Sequence, residues 1–432
     1  MKSTLALFQG PKIRTTPFPP HPVIGQAEKD ALLEVLDSGN LSTFIASPGE
    51  YFLGGKKIKQ FERDFAEFHG VEHAVAFNSA TAALHAAIVA CGLQPGEEVI
   101  VPPYTFTSTA TCALMHNAIP VFADIQDDIF CLDPTAVARS ISPLTRAIIP
   151  VHLFGHPADM DGILRIARKH NLKVIEDCAQ APAALDKGRL VGTMGDCGIF
   201  SFTESKAITT GEGGMLITQD ASIADLARLV RNHGEVILEG QASRTYRSTM
   251  LGWNYRMTEI EAVLGIVQFR KLEDLNQVRI ELSNYLTSKL SGMDGLTAPT
   301  VCPGNKHVYY VYALKYDEAK IGIPRALFIH ALEAEGIPFD AGYVRPLYLS
   351  PLYHDKKPFA FQHYKGSARY DKGLCPVAER MNEREVILTQ MARPPATLAD
   401  MEDIVRAFHK IFERKRELLE GSKVLAQQLA AS

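Results

Sequence analysis

Residues 74–101 read AVAFNSATAALHAAIVACGLQPGEEVIV and hold a strand, a helix and a second strand in succession. Ala74–Phe77 is a short apolar run, as a strand covered on both faces requires. Asn78 and Ser79 break it, and Thr81–Cys91 is an alanine-rich stretch of helical length. Glu98–Val101 returns to a short apolar run. The pattern repeats toward the C-terminus, with runs at Pro120–Asp124, Ala147–Val151, Lys173–Glu176, Gly198–Phe202 and Met215–Thr218. Helix-like stretches such as Ser108–His116 and Met160–His170 lie between them. Strands alternating with helices predict an α/β layer built on a mostly parallel, seven-stranded sheet.

Outward from this layer the pattern changes on both sides. Residues 11–24 are proline-rich and read as an extended arm, followed by helical spacing at Gln26–Leu36 and Ile58–Phe68. On the other side, helical residues 258–292 lead to a tyrosine-rich strand at Val308–Tyr316 and a helix beginning at Pro324. Thr397–Phe412 reads as a helix, with Thr397 as N-cap and Asp400 three residues on. The chain therefore divides into an arm (1–25), a large α/β domain (26–265), a smaller α+β domain (266–415) and a tail (416–432).

Composition narrows the function classes. A chain of 432 residues is too long for one ordinary core. A net charge of −4 without runs of one sign gives no electrostatic footprint for nucleic acid. Seven scattered cysteines, none in CxxC spacing, argue for reduced thiols in a cytoplasmic protein and against a metal site or disulfide framework. No stretch approaches the apolar length of a membrane span, and the first residues lack a signal-peptide core.

In an open α/β sheet the chemistry gathers at the carboxyl ends of the strands. Three loops there are unusual. Asn78-Ser79-Ala80-Thr81 precedes a helix and reads either as a simple cap or as an anion site made of backbone N–H groups and the Thr81 hydroxyl. Glu176-Asp177-Cys178-Ala179-Gln180 closes a strand with two acids, which suit a helix cap, a solvated turn or a cationic ring nitrogen. Ser201 ends another strand, Lys206 follows, and Thr209–Gly214 forms a glycine-rich turn. A lone lysine is ordinarily a solvated charge, but one enclosed between apolar strands is held as the neutral, nucleophilic amine. GxGxxG and GxxxxGK[ST] are both absent, so the Rossmann and triphosphate readings lack their fingerprints. A phosphate cradle, a carboxylate and a Schiff-base lysine are together the parts a pyridoxal-phosphate (PLP) enzyme needs.

Six ordered segments carry a resemblance: SATAAL (79–84), PGEEVIVPPYTFTSTA (95–110), AIIPVHLFGHPADMD (147–161), VIEDCAQA (174–181), FSFTESKAITTGEGGMLIT (200–218) and GWNYRMTEIEA (252–262). From about residue 26 to 412 the chain resembles the fold-type-I PLP-dependent aminotransferases of the DegT-like nucleotide-sugar and cyclitol family. The resemblance implies that Lys206 holds the cofactor and that Asp177 pairs with its pyridinium nitrogen. It places Gln180 near the phenolic oxygen, and Ala80, Thr81, Ala82 and Ser201 at the phosphate. Phe106 would stack on the ring, with Tyr104 close by; Arg345 is read either as a substrate contact or as a surface salt bridge. Asn254 would reach the phosphate of a neighbouring subunit, implying a homodimer with shared active sites. The implied reaction moves an amino group from L-glutamate or L-glutamine to a keto-sugar or keto-cyclitol, the cofactor cycling through pyridoxamine phosphate. Three departures stand out: Ala80 for glycine, Ala181-Pro182-Ala183 for a segment with His-Gly, and Ala207 for asparagine. Sugar dehydratases of the same fold carry histidine where this chain has Lys206, and a PLP-binding regulator would keep the site without turnover. His85 and His152 are read as packed, Tyr309, Tyr310 and Tyr312 as core, and the loops Ser38–Gly55 and Ile237–Leu251 as substrate-pocket walls.

Overall fold

The computed structural model describes residues 4–44, 48–237, 243 and 247–431. Helices α1 (Gln26–Ser38) and α2 (Lys56–His69) precede the sheet. Its strands are β1 (His73–Phe77), β2 (Glu98–Val101), β3 (Ile119–Phe122), β4 (Thr145–Ile148) and β5 (Lys173–Asp177). After a hairpin of β6 (Leu185–Asp186) and β7 (Arg189–Leu190) come β8 (Cys197–Ser201) and β9 (Gly214–Thr218). The order across the sheet is β1-β9-β8-β5-β4-β2-β3. All neighbours are parallel except those of β9, which runs against both β1 and β8. One edge thus gathers the carboxyl ends of six strands and the start of β9. The mostly parallel seven-stranded sheet is as the sequence predicts.

Helices α3 (Ala80–Ala90), α4 (Ser108–Met115), α5 (Pro134–Ser140), α6 (Met160–His170) and α7 (Ala221–Arg231) connect the strands. Helix α3 starts at Ser79, whose hydroxyl accepts the Ala82 N–H at 3.1 Å. Most of its residues are buried, which an alanine-rich sequence allows without a polar face. Its first turn lies directly on β9, and a Cβ built at Gly214 would stand 2.5 Å from the Ala80 nitrogen. Only glycine admits that approach. Gly214→Ala should cost about 1–3 kcal/mol through overpacking, read as a lower urea midpoint with an unchanged slope.

Helices α8 (Glu259–Phe269) and α9 (Leu272–Leu290) replace the single helical stretch expected over 258–292, with Arg270 and Lys271 between them. Residue 265 lies inside α8. Beyond it a second sheet forms from β10 (Leu296–Thr297), β11 (Tyr312–Tyr316), β12 (Asp340–Ala341) and β13 (Val386–Thr389), in the antiparallel order β10-β11-β13-β12. The tyrosine-rich strand is shorter than expected because Tyr309 adopts φ 49°, which breaks extended pairing. The helix Leu398–Glu413 begins at Thr397, which forms a capping box with Asp400.

The N-terminal arm is tied to this second layer. Leu5 is buried in its core, the Ala6 and Ile13 N–H groups donate to Glu335, and Arg14 pairs with Asp400 at 2.8 Å and Asp403 at 3.0 Å. The tail forms a helix, Lys415–Ala431. Among the described residues no helix is long and apolar enough to cross a membrane.

Candidate active site

Strand β5 ends in two acids, and the two-residue period of a strand sends them to opposite faces. Glu176 is fully buried and saturated: its carboxylate accepts the N–H groups of Gly192, Met194 and Gly195 at 2.6–2.8 Å and a hydrogen bond from His152 Nε2 at 3.1 Å. The Ala158 N–H donates to His152 Nδ1 at 3.0 Å, so the ring carries its proton on Nε2. Glu176 is therefore a scaffold for the 192–195 turn. Glu176→Ala would strand the buried N–H of Gly192 and the part-buried N–H groups of Met194 and Gly195, and should destabilise the fold by about 3 kcal/mol, measured by chemical denaturation.

Asp177 faces the edge instead. Thr109 Oγ1 donates to its Oδ2 at 2.8 Å and the Ala179 N–H to its Oδ1 at 3.1 Å. Burial pushes its carboxyl above the ordinary value, against the opposing pull of these two donors, Lys206 and His152. Among the described residues it forms no ion pair, and a pyridinium nitrogen would supply one.

Lys206 enters from the next strand. Beyond Ser201 the chain turns on itself: the Lys206 N–H donates to the Thr203 carbonyl at 2.9 Å, and the Thr210 N–H to the Phe202 carbonyl at 2.9 Å. This turn buries Lys206 to 8% exposure and puts its Nζ over the Tyr310 ring, 4.3 Å from the centroid. His21, from the arm, hydrogen-bonds the Lys206 carbonyl at 3.1 Å. Ser201 pairs with Gly214 in the ladder, which brings its side of the edge to the start of α3. There the Ala82 N–H is already taken by Ser79, while Ala80 and Thr81 occupy the first turn of the helix. The helix dipole and the remaining N–H groups of that turn would suit an anion.

The other expected residues fall into place unevenly. Gln180 is buried, accepts the Phe154 N–H at 2.8 Å and donates to the Tyr343 hydroxyl at 3.0 Å. Phe106, at the loop before α4, is 58% exposed despite being apolar. Asn254 is exposed, and its carbonyl accepts from Asn78 Nδ2 at 3.4 Å, beside the end of β1. Arg345 is exposed after β12. Tyr104 requires a correction: it is wholly buried, its hydroxyl accepts the Tyr343 N–H at 2.9 Å, and its ring packs edge-on against Phe154 and Tyr343. Its hydroxyl is thereby engaged with the Tyr343 backbone. Tyr310 is corrected the other way, since it is buried as expected but lies against the lysine. Thr109, His21 and Tyr343 carry no signal in the sequence, because their partners are distant along the chain. His85, as expected, is packed, against Trp253 and hydrogen-bonded to Tyr255 at 3.1 Å. Residues 45–47, 238–242 and 244–246, within the two expected substrate loops, lie outside the described residues.

The family described as DegT/DnrJ/EryC1/StrS aminotransferases matches residues 29–408. This chain belongs to that family. It is 36% identical to the L-glutamine:2-deoxy-scyllo-inosose aminotransferase of Streptoalloteichus tenebrarius, over 96% of this chain and 99% of the relative. It is 34% identical to the spore coat polysaccharide biosynthesis protein SpsC of Bacillus subtilis, over 90% and 95%. Among solved structures, S. venezuelae DesV in complex with a ketimine intermediate superposes with a TM-score of 0.79 at 30% identity, covering 92% of this chain and all of DesV. The aminotransferase is thus a PLP-dependent enzyme of fold type I. Its own residues fit that cofactor: a buried acid short of a cation, an enclosed lysine, an anion cradle that Gly214 alone permits, and an exposed apolar ring at Phe106.

Proposed function

We propose that the enzyme transfers the amino group of L-glutamate or L-glutamine to a ketone carbon of a nucleotide-linked sugar or a cyclitol. The observation that carries this reading is the convergence of Lys206 and Asp177 on one strand edge, each enclosed and each reached from a separate strand. The names of the relatives support the substrate class.

PLP, when bound, supplies an electrophilic aldehyde carbon and a ring that accepts electrons. Asp177 keeps the ring nitrogen protonated by accepting its N–H, and Thr109 and Ala179 fix the direction of that carboxylate. Lys206 Nζ would hold the cofactor through its aldehyde carbon and, as a free amine, would serve as the general base that takes the donor's α-proton. The Tyr310 ring packs against Nζ, which lies 4.3 Å from its centroid. The α3 N-terminus with Thr81, and Ser201, hold the phosphate, and Phe106 covers the ring. Gln180, already fixed by Phe154 and Tyr343, faces the phenolic oxygen.

We assign the working unit as a homodimer. Phe106 and Asn254 are both exposed at the site edge, where a second copy would cover them. The seven free cysteines support a cytoplasmic setting.

The test is the absorbance spectrum of the PLP-loaded protein. L-glutamine or L-glutamate should bleach the yellow band to the near-ultraviolet pyridoxamine form. Addition of 2-deoxy-scyllo-inosose or a nucleotide-linked keto-sugar should restore it, and the acceptor that restores it names the class. Retention of the yellow band with both donors would refute the reading.

A further inference from the structure

A second set of charges reaches this edge and takes no part in the roles above. Arg279, on the buried face of α9, donates from Nη2 to the Ala207 carbonyl at 3.4 Å and from Nη1 to the Leu275 carbonyl at 3.2 Å, and its Nε is buried without a partner. Arg393, in the loop after β13, is half-buried and reaches Gln390 Oε1 at 3.3 Å. Neither forms an ion pair with a carboxylate among the described residues. His21 links them to the catalytic lysine, its ring touching the Lys206 carbonyl at 3.1 Å and the Pro394 carbonyl at 3.4 Å.

Burial acts on all three groups. Burial and then the charge of Arg393 push Arg279 down to about 10. Burial lowers Arg393 as well, with the Tyr310 hydroxyl opposing. Burial, then Arg393 and Arg279, push the His21 imidazole down to about 4, so it is neutral at physiological pH and offers no countercharge. Two guanidinium groups remain charged, Arg279 away from water and Arg393 half-buried in front of it. Buried charge without a partner is costly, and proteins ordinarily pair it. An anion arriving from outside would relieve that cost.

We propose that Arg393, reinforced by the field of Arg279, binds the α-carboxylate of the amino donor. The proposal rests on the transamination reading above. Arg279 is bonded to the Ala207 carbonyl, and Arg393 precedes Pro394, whose carbonyl shares the His21 ring with that of Lys206. Both arginines feel the hydroxyl of Tyr310, the ring that carries Lys206 Nζ. The donor's α-carboxylate is one bond from the carbon whose proton Lys206 removes, so its anchor must lie beside that lysine. The diphosphate of a nucleotide-linked acceptor is separated from the reacting carbon by the sugar ring and fits less well so close to Nζ. A planar guanidinium also matches the two oxygens of a carboxylate. Arg393 is the half-buried member and meets the ligand, while Arg279 stays behind it.

The experiment titrates the PLP-loaded protein with glutarate, a dicarboxylate without an amine, by calorimetry, and separately with UDP. Arg393→Gln should weaken glutarate binding about 10–100-fold, the loss of one charged hydrogen-bonded contact, and leave UDP binding unchanged. The L-glutamate concentration for half-maximal bleaching should rise by a similar factor while the limiting rate moves only a few-fold, and Arg393→Lys should recover part of the loss. Unaltered PLP absorbance and far-ultraviolet dichroism would establish that the variant is folded. Equal glutarate affinity in wild type and Arg393→Gln, or loss of UDP binding instead, would overturn the proposal. Glutarate binding that depends on Arg393 in a protein that no donor bleaches would support the carboxylate site and remove the transamination reading.

Discussion

Lys206→Ala should give a protein that no longer forms a Schiff base with PLP and whose turnover falls by on the order of 10⁴-fold or more. Two functions are lost together: the nucleophile that tethers the cofactor and the general base, which alone contributes about 10²–10⁴-fold. The rest of the site should survive. The Phe202–Thr210 turn is closed by backbone and Thr209 hydrogen bonds rather than by the lysine side chain. Borohydride reduction followed by peptide mass analysis provides the measurement. Wild type should show PLP attached at Lys206, and the variant should show no attachment. Attachment at another lysine, or activity within tenfold of wild type, would remove Lys206 from its assigned role.

Asp177→Asn should lower turnover by about 10³-fold, the scale expected when a preorganised charge beside the reacting group is removed. The same substitution carries a pH signature in the cofactor-free protein. Burial raises the Asp177 carboxyl above its unfolded value of 3.8. In the interval above that value the folded state binds more protons than the unfolded state, so this group's contribution to stability falls as pH rises through its folded pKa. The amide introduced by Asp177→Asn does not titrate, so this component of the slope should vanish from the variant. Loading with PLP should also diminish it in wild type, because the pyridinium then pairs the carboxylate. Denaturant titrations of the cofactor-free proteins between pH 4 and about 8 would read the difference (compare). Identical pH slopes in the two proteins would show that Asp177 is not the buried, partnerless acid described here.

Much of this architecture is legible without coordinates. Buried parallel strands are short and apolar on both faces, so the runs from Ala74 to Thr218 announce the sheet, and the loops that follow them announce its working edge. Lys206 and Asp177 stand out because a lysine and an acid interrupt such runs. Boundaries blur where side chains do not decide them. The 258–292 stretch is helical throughout in pattern, yet it breaks at Arg270 and Lys271. Val308–Tyr316 has strand chemistry, but Tyr309 bends the backbone out of register.

Roles are harder to read than positions. Tyr104 and Tyr310 look alike as sequence, both aromatic and set among apolar residues. Only packing sends Tyr104 into the core against Phe154 and brings Tyr310 beneath the lysine. Thr109 aims Asp177 across a separation of 68 residues, and His21 meets the Lys206 backbone across 185. Local pattern carries no record of such pairs. Arg279 and Arg393 are ordinary cations in sequence, and they become unusual only where folding buries one and half-buries the other, with no acid paired to either among the described residues.

The sequence by itself determined the α/β sheet and the edge at which chemistry gathers, because the periodicity of apolar runs is a local property. Tertiary structure alone decided which tyrosine serves the lysine, which acid faces the cofactor side, and where uncompensated positive charge accumulates. Those depend on burial and on distances between residues far apart in the chain, and both arise only when the elements pack.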